Sequence, residues 1–285
     1  YNAMGGAADD ADAFNAQGHD FVDVNFDVTA SARWTASDYA TYELGFARKN
    51  RSPSLLERYL WTPLSASAGL ADGRTYIGNL DLDPETSHQI SLTADWHGSN
   101  WQVRTTPFYN FVDDYIQGVP IPYDGTEVLQ FQNLDRADLY GVDASGRYDF
   151  GPHVSLRNTL SYVRGRDRDN DDNLYRIAPL HGTVAVEHRI AGLESEIALV
   201  WADKQKRVAD YNDEPTTSGS TVVNLRSGYT FRGGLQLYAG LENVFDEKYS
   251  DHLGGINRVL DSDVDVGERL PGAGRFVYIG VRYEL

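Results

Sequence analysis

The chain of 285 residues contains no cysteine. Disulfides, thiolate metal sites and cysteine nucleophiles are therefore excluded. Methionine occurs once, at Met4. No run of about 18 apolar residues occurs, so no membrane-spanning helix is expected. Cations are short as well: 25 Lys and Arg stand against 42 Asp and Glu, a formal charge of −17. That balance argues against a nucleic-acid partner, which needs a basic patch. Many acids fall in segments read as loops, at Asp9, Asp10 and Asp12 and at Asp167, Asp169, Asp171 and Asp172, where they read as solvated surface. Catalytic signatures are missing too. There is no G-x-S-x-G elbow, no H-E-x-x-H and no P-loop. The Asp167-x-Asp169-x-Asp171 run resembles the start of a calcium loop, but Asp172 holds the glycine position and Ala178 the closing Glu position. The seven histidines are scattered. His181 and His188 flank one expected strand without further ligands at metal spacing. The chain is read as having no catalytic residues, no metal site and no cofactor, and as not an enzyme.

What the sequence does have is alternation. In 276–285, Val277, Ile279, Val281, Tyr283 and Leu285 share one face, and Phe276, Tyr278, Gly280, Arg282 and Glu284 the other. A period of two is a strand with one apolar face. Left bare in water, such a strand is an aggregation hazard; facing lipid, it is not. Val22, Val24, Phe26, Val28, Ala30, Ala32 and Trp34 repeat the pattern, as do Ile90, Leu92, Ala94 and Trp96, and Leu235, Leu237, Ala239 and Leu241. About eleven such runs of roughly 10–15 residues occur, against about 5–6 for soluble strands and about 9–11 for a tilted membrane strand. Short links are expected near Ser37–Asp38, Gly98–Asn100, Gly151–Pro152, Ala191–Gly192 and Gly233–Gly234, and long ones at 49–84, 117–130, 165–179, 203–219 and 247–273. Aromatics sit beside the short links: Trp34 and Tyr39, Trp96 and Trp101, Tyr148 and Phe150, Tyr229 and Phe231. Short turns on one side, long loops on the other and an aromatic girdle describe a transmembrane antiparallel β-barrel of the outer-membrane kind. A soluble β-sandwich would also alternate, but with shorter strands.

Counting back from 276–285 places 1–19 in an extracellular loop and 20–285 in barrel strands and loops, with the first strand at about 20–36. About eleven strands is odd, whereas bacterial single-chain barrels are even. The chain is expected to be mature, truncated or a fragment, and the count suggests half of a barrel of about twenty-two strands, the plugged size class. Nothing at Tyr1 resembles a signal peptide.

Five elements carry a resemblance to TonB-dependent outer-membrane receptors. They are "ARKNRSPSL" at 47–55, "NLDLDPE" at 79–85, "FYNFVDDYI" at 108–116, "LYGVDASG" at 139–146 and "LENVFDEKY" at 241–249. The terminal Gly280-x-x-Tyr283-x-Leu285 resembles the assembly signal of outer-membrane proteins, with Leu285 in place of the usual Phe. The resemblance implies an outer-membrane location and TonB-energised import of a metal chelate, with no plug domain in this chain. It implies as partners the plug and N-terminal barrel half, TonB, outer-membrane lipid and lipopolysaccharide, the barrel assembly machinery and a small metal-chelate ligand. Within the family the chain is most similar to copper receptors, through "ARKNRSPSLLERYLW", "YIGNLDL" and "TPFYNFVDDYI". Those receptors are expected to use sulfur ligands, which suit Cu(I), and this chain offers only Met4, with "TPLSASAGLADG" at 62–73. Haem receptors are expected to carry a histidine between the first two elements, and 48–84 has none. A ferric siderophore is therefore the expected ligand, with copper as the alternative and a passive porin-like barrel as a further one. An outer-membrane lipase or protease barrel would need a Ser/His/acid group at its mouth.

Arg51, Arg58, Tyr59, Trp61, Arg74 and Tyr76 lie on or near the first long loop and suit an anionic or catecholate ligand through charge and stacking. Glu43 falls on the polar parity of its strand and is expected to face the lumen or the plug. Pro84 is expected to open a strand, where its missing N–H is tolerated. Asn243–Asp246 break the alternation and are read as a bulge.

Overall fold

The computed structural model describes residues 11–63 and 72–283. Met4, Asp9, Asp10, the stretch 64–71 and Leu285 lie outside the described residues. Alternation has become one sheet of thirteen strands. They are β1 (Val28–Ser37), β2 (Ala40–Arg51), β3 (Tyr76–Ile77), β4 (Glu85–His97), β5 (Trp101–Tyr123), β6 (Thr126–Asp149), β7 (Val154–Asp167), β8 (Asp172–Asn173), β9 (His181–Ile190), β10 (Leu193–Ala202), β11 (Ser220–Thr230), β12 (Leu235–Glu242) and β13 (Phe276–Tyr283). Eleven of them form an antiparallel path, β1-β2-β4-β5-β6-β7-β9-β10-β11-β12-β13. The two-residue strands β3 and β8 pair sideways with β6 and β7. The path is open: β1 and β13 lie at its two ends and do not pair with each other among the described residues.

Register puts like with like. Phe46 pairs with Ile90 and Leu44 with Leu92, while Glu43 pairs with Arg33 and Thr93. Because the side-chain period is two, one residue of slip would exchange the faces. The apolar face is bare: Leu44, Ile90, Ile197, Val277 and Ile279 are all exposed. The described residues include no helix long and apolar enough to cross a membrane; in this architecture the strands do so. All five expected short links are turns between neighbouring strands. Beside them the aromatics touch one another on the apolar face: Trp34 stacks on Tyr42 at 5.6 Å, and Trp96 Nε1 donates to the Tyr42 hydroxyl at 3.1 Å. Tyr148 packs edge-on to Phe150 and Tyr229 to Phe231.

Three expectations about the chain path change. The long loop at 117–130 is a hairpin, because β5 runs to Tyr123 and β6 restarts at Thr126. Asp124 and Gly125 take φ of 44° and 75°, the left-handed pair that a tight two-residue hairpin turn requires. The first strand starts at Val28 rather than near residue 20. Ahead of it the chain is tied by side chains instead of a ladder: Phe26 N–H donates to Asn50 Oδ1, and Asp27 accepts from the Asn50 N–H. The segment at Asn243 is a turn that ends β12, not a bulge within it, with Asn243 and Asp246 at φ of 50° and 56°. The Asn243 side chain holds that turn by donating to the carbonyls of Glu247 and Ala273. Pro84 directly precedes β4.

Candidate functional site

Most of the buried polar groups lie at the end of the sheet away from the short turns. Beyond Arg51 the chain forms a short helix, Leu55–Tyr59, started by a capping box between Ser54 and Glu57. Arg51 grips both Glu85 oxygens at 2.8 Å and reaches Glu57 at 2.8 Å. Burial pushes the Glu57 carboxyl up, but the hydrogen bonds from Arg51 and from the Ser54 N–H outweigh it and hold it below the usual carboxylate range. Arg58 is buried, bonded to Asp23 at 3.1 Å and to the Leu82 carbonyl at 2.7 Å, with its guanidinium 4.6 Å from the Phe21 ring. Tyr59 donates to the His19 carbonyl at 3.1 Å. These side chains fasten 19–23 to the helix. Trp61 is 39% exposed. Arg74 donates to the Asn212 carbonyl at 2.8 Å and to Glu127 at 2.7 Å. Tyr76 is fully buried and stacks on Phe131 at 5.1 Å.

The six expected ligand residues therefore fall in two places, three around the helix and two in a second polar centre, with Trp61 between them in sequence. Glu43 lies on the polar face, opposite to Leu44, with Arg33 and Thr93 as cross-strand neighbours. Gly280 and Tyr283 lie in β13 on opposite faces, Gly280 across from Tyr238 and Tyr283 across from Leu235.

The second centre is a lattice of loops. Buried Asp72 accepts from the Tyr76 hydroxyl at 2.5 Å and from the Tyr175 hydroxyl at 2.9 Å. Burial first, and then the Asp72 charge, drives both phenols far above their ordinary range, so both stay neutral donors. Gln117 accepts from the Tyr175 N–H at 3.2 Å and donates to the Tyr211 hydroxyl. Glu214 accepts from the N–H groups of Arg176 and Ala209, both at 2.9 Å, and faces His252 Nε2 at 3.2 Å, with both side chains buried. Thr217 meets His252 Nδ1 at 2.8 Å. Arg176 donates to the Leu253 carbonyl at 2.6 Å, and Arg269 donates to the carbonyls of His252 and Pro215. Loops at 72–76, 168–180, 203–219 and 247–275 and the β5–β6 hairpin are thus joined by buried bonds. Sequence reasoning missed Asp72, Tyr175, Glu214 and His252. They sit in loops without periodicity, and only the fold brings them together.

On the polar face below this lattice lies a cavity of 660 Å³, bounded by strand residues such as Asp143, His181 and Asn224 and by the loop at 249–253. Its volume suits a small-molecule site. Towards the short turns the same face carries a chain of ion pairs across successive strands. Arg147 meets Glu187 at 3.4 Å, Glu187 meets Arg157 at 3.3 Å, Arg157 meets Glu196 at 2.9 Å, Glu196 meets Arg226 at 3.2 Å and Arg226 meets Glu242 at 2.7 Å. The arrangement is that of a wall, wet and ion-paired on one side and apolar on the other.

Asp167, the first acid of the calcium-like run, is wholly buried and accepts from the N–H groups of Asp169 and Asn170 and from the Asn170 side chain. It caps its own turn. Among the described residues no group of three His, Asp or Glu is placed to hold a metal.

Comparison with known proteins gives one consistent picture. Residues 4–244 match the family model "TonB dependent receptor-like, beta-barrel". The chain is 25% identical over 257 residues to the ferric enterobactin receptor PirA of Pseudomonas aeruginosa, covering 81% of this chain and 34% of that protein. It is 22% identical over 282 residues to the ferrienterobactin receptor of Escherichia coli K12, covering 91% of this chain and 37% of that one. Among solved structures, the copper transporter OprC superposes with a TM-score of 0.78 at 18% identity, over 90% of this chain and 39% of that one. The chain spans about a third of the length of the curated relatives it matches.

Proposed function

This chain belongs to the TonB-dependent receptor β-barrel family of the bacterial outer membrane, and from that membership we propose that it forms one part of the wall of a receptor that imports a ferric siderophore, energised through TonB. The long loops face outside in this reading, and the polar face lines the lumen. What carries it is the construction of the wall: apolar outside, ion-paired inside, with its long loops laced together by buried side-chain bonds. Loops ordered by buried pairs such as Glu214–His252 suit a mouth that recognises its cargo. Arg51, Arg58, Tyr59, Trp61, Arg74 and Tyr76 shape that mouth, with the bonded ones acting as scaffold and Trp61 offering its exposed ring.

The enterobactin-receptor names of the relatives support iron chelates. The near-absence of sulfur weighs against copper: the sequence has no cysteine and one methionine. The test is uptake by cells that lack their own receptors and express the intact receptor containing this chain. Labelled ferric enterobactin should enter saturably, and deletion of TonB should abolish entry. Uptake of copper without the ferric chelate would overturn the substrate. Ohmic conductance of the intact receptor in planar bilayers would overturn gated import in favour of a passive pore.

A further inference from the structure

Between the loops at 72–76, 175–176, 212–215 and 256–269 lies a pocket of 310 Å³ lined by four arginines, Arg74, Arg176, Arg258 and Arg269. In a chain of formal charge −17 such a concentration of cations is unusual. Two of the four turn their guanidinium bonds to backbone carbonyls rather than to carboxylates, Arg176 to Leu253 and Arg269 to His252 and Pro215. The acids of the pocket are otherwise engaged in part: Asp72 takes two tyrosine hydroxyls and Glu214 takes two N–H groups and faces His252, while Asp213 is exposed. Burial, reinforced by the Arg176 charge against that of Glu214, pulls the Arg269 guanidinium below its usual range.

Two buried atoms among the lining residues lack a partner. Asn212 is 1% exposed; its amide donates to the Gly118 carbonyl at 2.9 Å, but its Oδ1 accepts nothing. Arg269 Nε, a donor, is also buried and unpaired. An unmade hydrogen bond of this kind is costly in a folded protein, so each one asks for an occupant. The unpaired donor and the guanidinium charges ask for an anion, and the unpaired Oδ1 asks for an X–H group on that same occupant. The volume lies at the low end for ligand sites, suited to a small ion rather than a whole chelate.

We propose that this pocket binds monohydrogen phosphate, a small oxyanion that carries its own proton at neutral pH. Guanidinium groups take the charged oxygens. The P–OH donates to Asn212 Oδ1. Sulfate has the same shape and charge but no proton at neutral pH, so it leaves Asn212 unpaired. The inference does not rest on chelate import, because binding is read on the protein itself.

The test is calorimetry on the intact receptor in detergent at pH 7.5 and fixed ionic strength, with inorganic phosphate, sulfate and glycerol 3-phosphate as probes. Phosphate is expected to bind at least about tenfold more tightly than sulfate, the scale of one unsatisfied buried acceptor. Asn212→Asp, which puts a carboxylate oxygen where the acceptor was, should abolish phosphate binding, and Arg258→Gln should weaken it severalfold. Glycerol 3-phosphate, a dianion without a P–OH at this pH, should bind as weakly as sulfate; binding as tight as that of phosphate would overturn the role of the proton. Equal affinity for sulfate and phosphate on the unaltered receptor, or no heat from millimolar phosphate, overturns it, and neither result depends on a variant folding.

Discussion

Glu57 shows how one loop carboxylate sets a pH limit. Its folded value lies below the ordinary one because Arg51 and the Ser54 N–H stabilise the charged form more than burial opposes it. The stability it contributes is therefore fully present above the unfolded value of about 4.3 and is lost as pH falls through the lower folded value. The protection of amides at 54–60, taken relative to the intrinsic exchange rate at each pH, should stay constant from about pH 7 to 5 and fall below about pH 4. Protection that falls between pH 7 and 5 would show that another group controls the helix. At Tyr76 the same logic concerns a neutral donor. Tyr76→Phe removes a hydroxyl from the charged acceptor Asp72 and should cost about 1.5–3 kcal/mol locally. Limited proteolysis at 72–78 and at 175 should accelerate together, because Tyr175 shares that carboxylate. Unchanged cleavage would mean that Asp72 is satisfied without Tyr76.

Strands were legible in the sequence because lipid and lumen impose a strict period of two. The face assignments at Leu44, Ile90 and Ile279 follow directly from it. The β5–β6 hairpin was legible in principle, since Asp124–Gly125 is a tight-turn pair, yet Pro120 and Pro122 in the flanking stretch masked the strand. Both prolines sit in the β5–β6 ladder. The mouth was not legible. Arg51 and Arg58 read as ligand groups because side-chain chemistry is visible in a sequence, whereas the partners that occupy them, Glu85 and Asp23, are about 35 residues away along the chain. The terminal strand gives a test at this scale. Tyr238 lies opposite to Gly280, and Tyr278 opposite to Gly240, so each ring covers a glycine on the neighbouring strand. A Cβ added at Gly280 would meet the Tyr238 ring. Gly280→Leu should reduce the folded, heat-modifiable form of the intact receptor in outer-membrane fractions, and adding Tyr238→Ala should restore it. A defect that Tyr238→Ala leaves uncorrected would assign Gly280 to the assembly signal itself rather than to packing.

At the scale of the whole sheet, two borders are unpaired among the described residues. The outer edge of β1 and the outer edge of β13 have no ladder partner among the described residues, and the two strands sit at opposite ends of an eleven-strand path. Alternate N–H and C=O groups along a free edge point away from the sheet. In water they would be solvated; in a bilayer core each unsatisfied group costs several kcal/mol. Two such edges of eight and ten residues cannot be tolerated in lipid by side-chain packing alone. Bending the eleven strands into a closed ring would pair them, but it would also narrow the lumen against the ion-paired belt and the loop at 249–253. Pairing with strands from the rest of a receptor removes the cost without that squeeze, and the relatives are about three times as long as the stretch this chain matches. The expected outcome is that the chain expressed alone in detergent is polydisperse and protease-sensitive. Co-expression with a segment carrying the complementary strands should give a protease-resistant complex, with cysteines placed on β1 and on its new neighbour forming a disulfide. A monodisperse, protease-resistant monomer of the chain alone would show that β1 and β13 find each other, and the sheet would then have to be redrawn as a closed barrel of eleven strands.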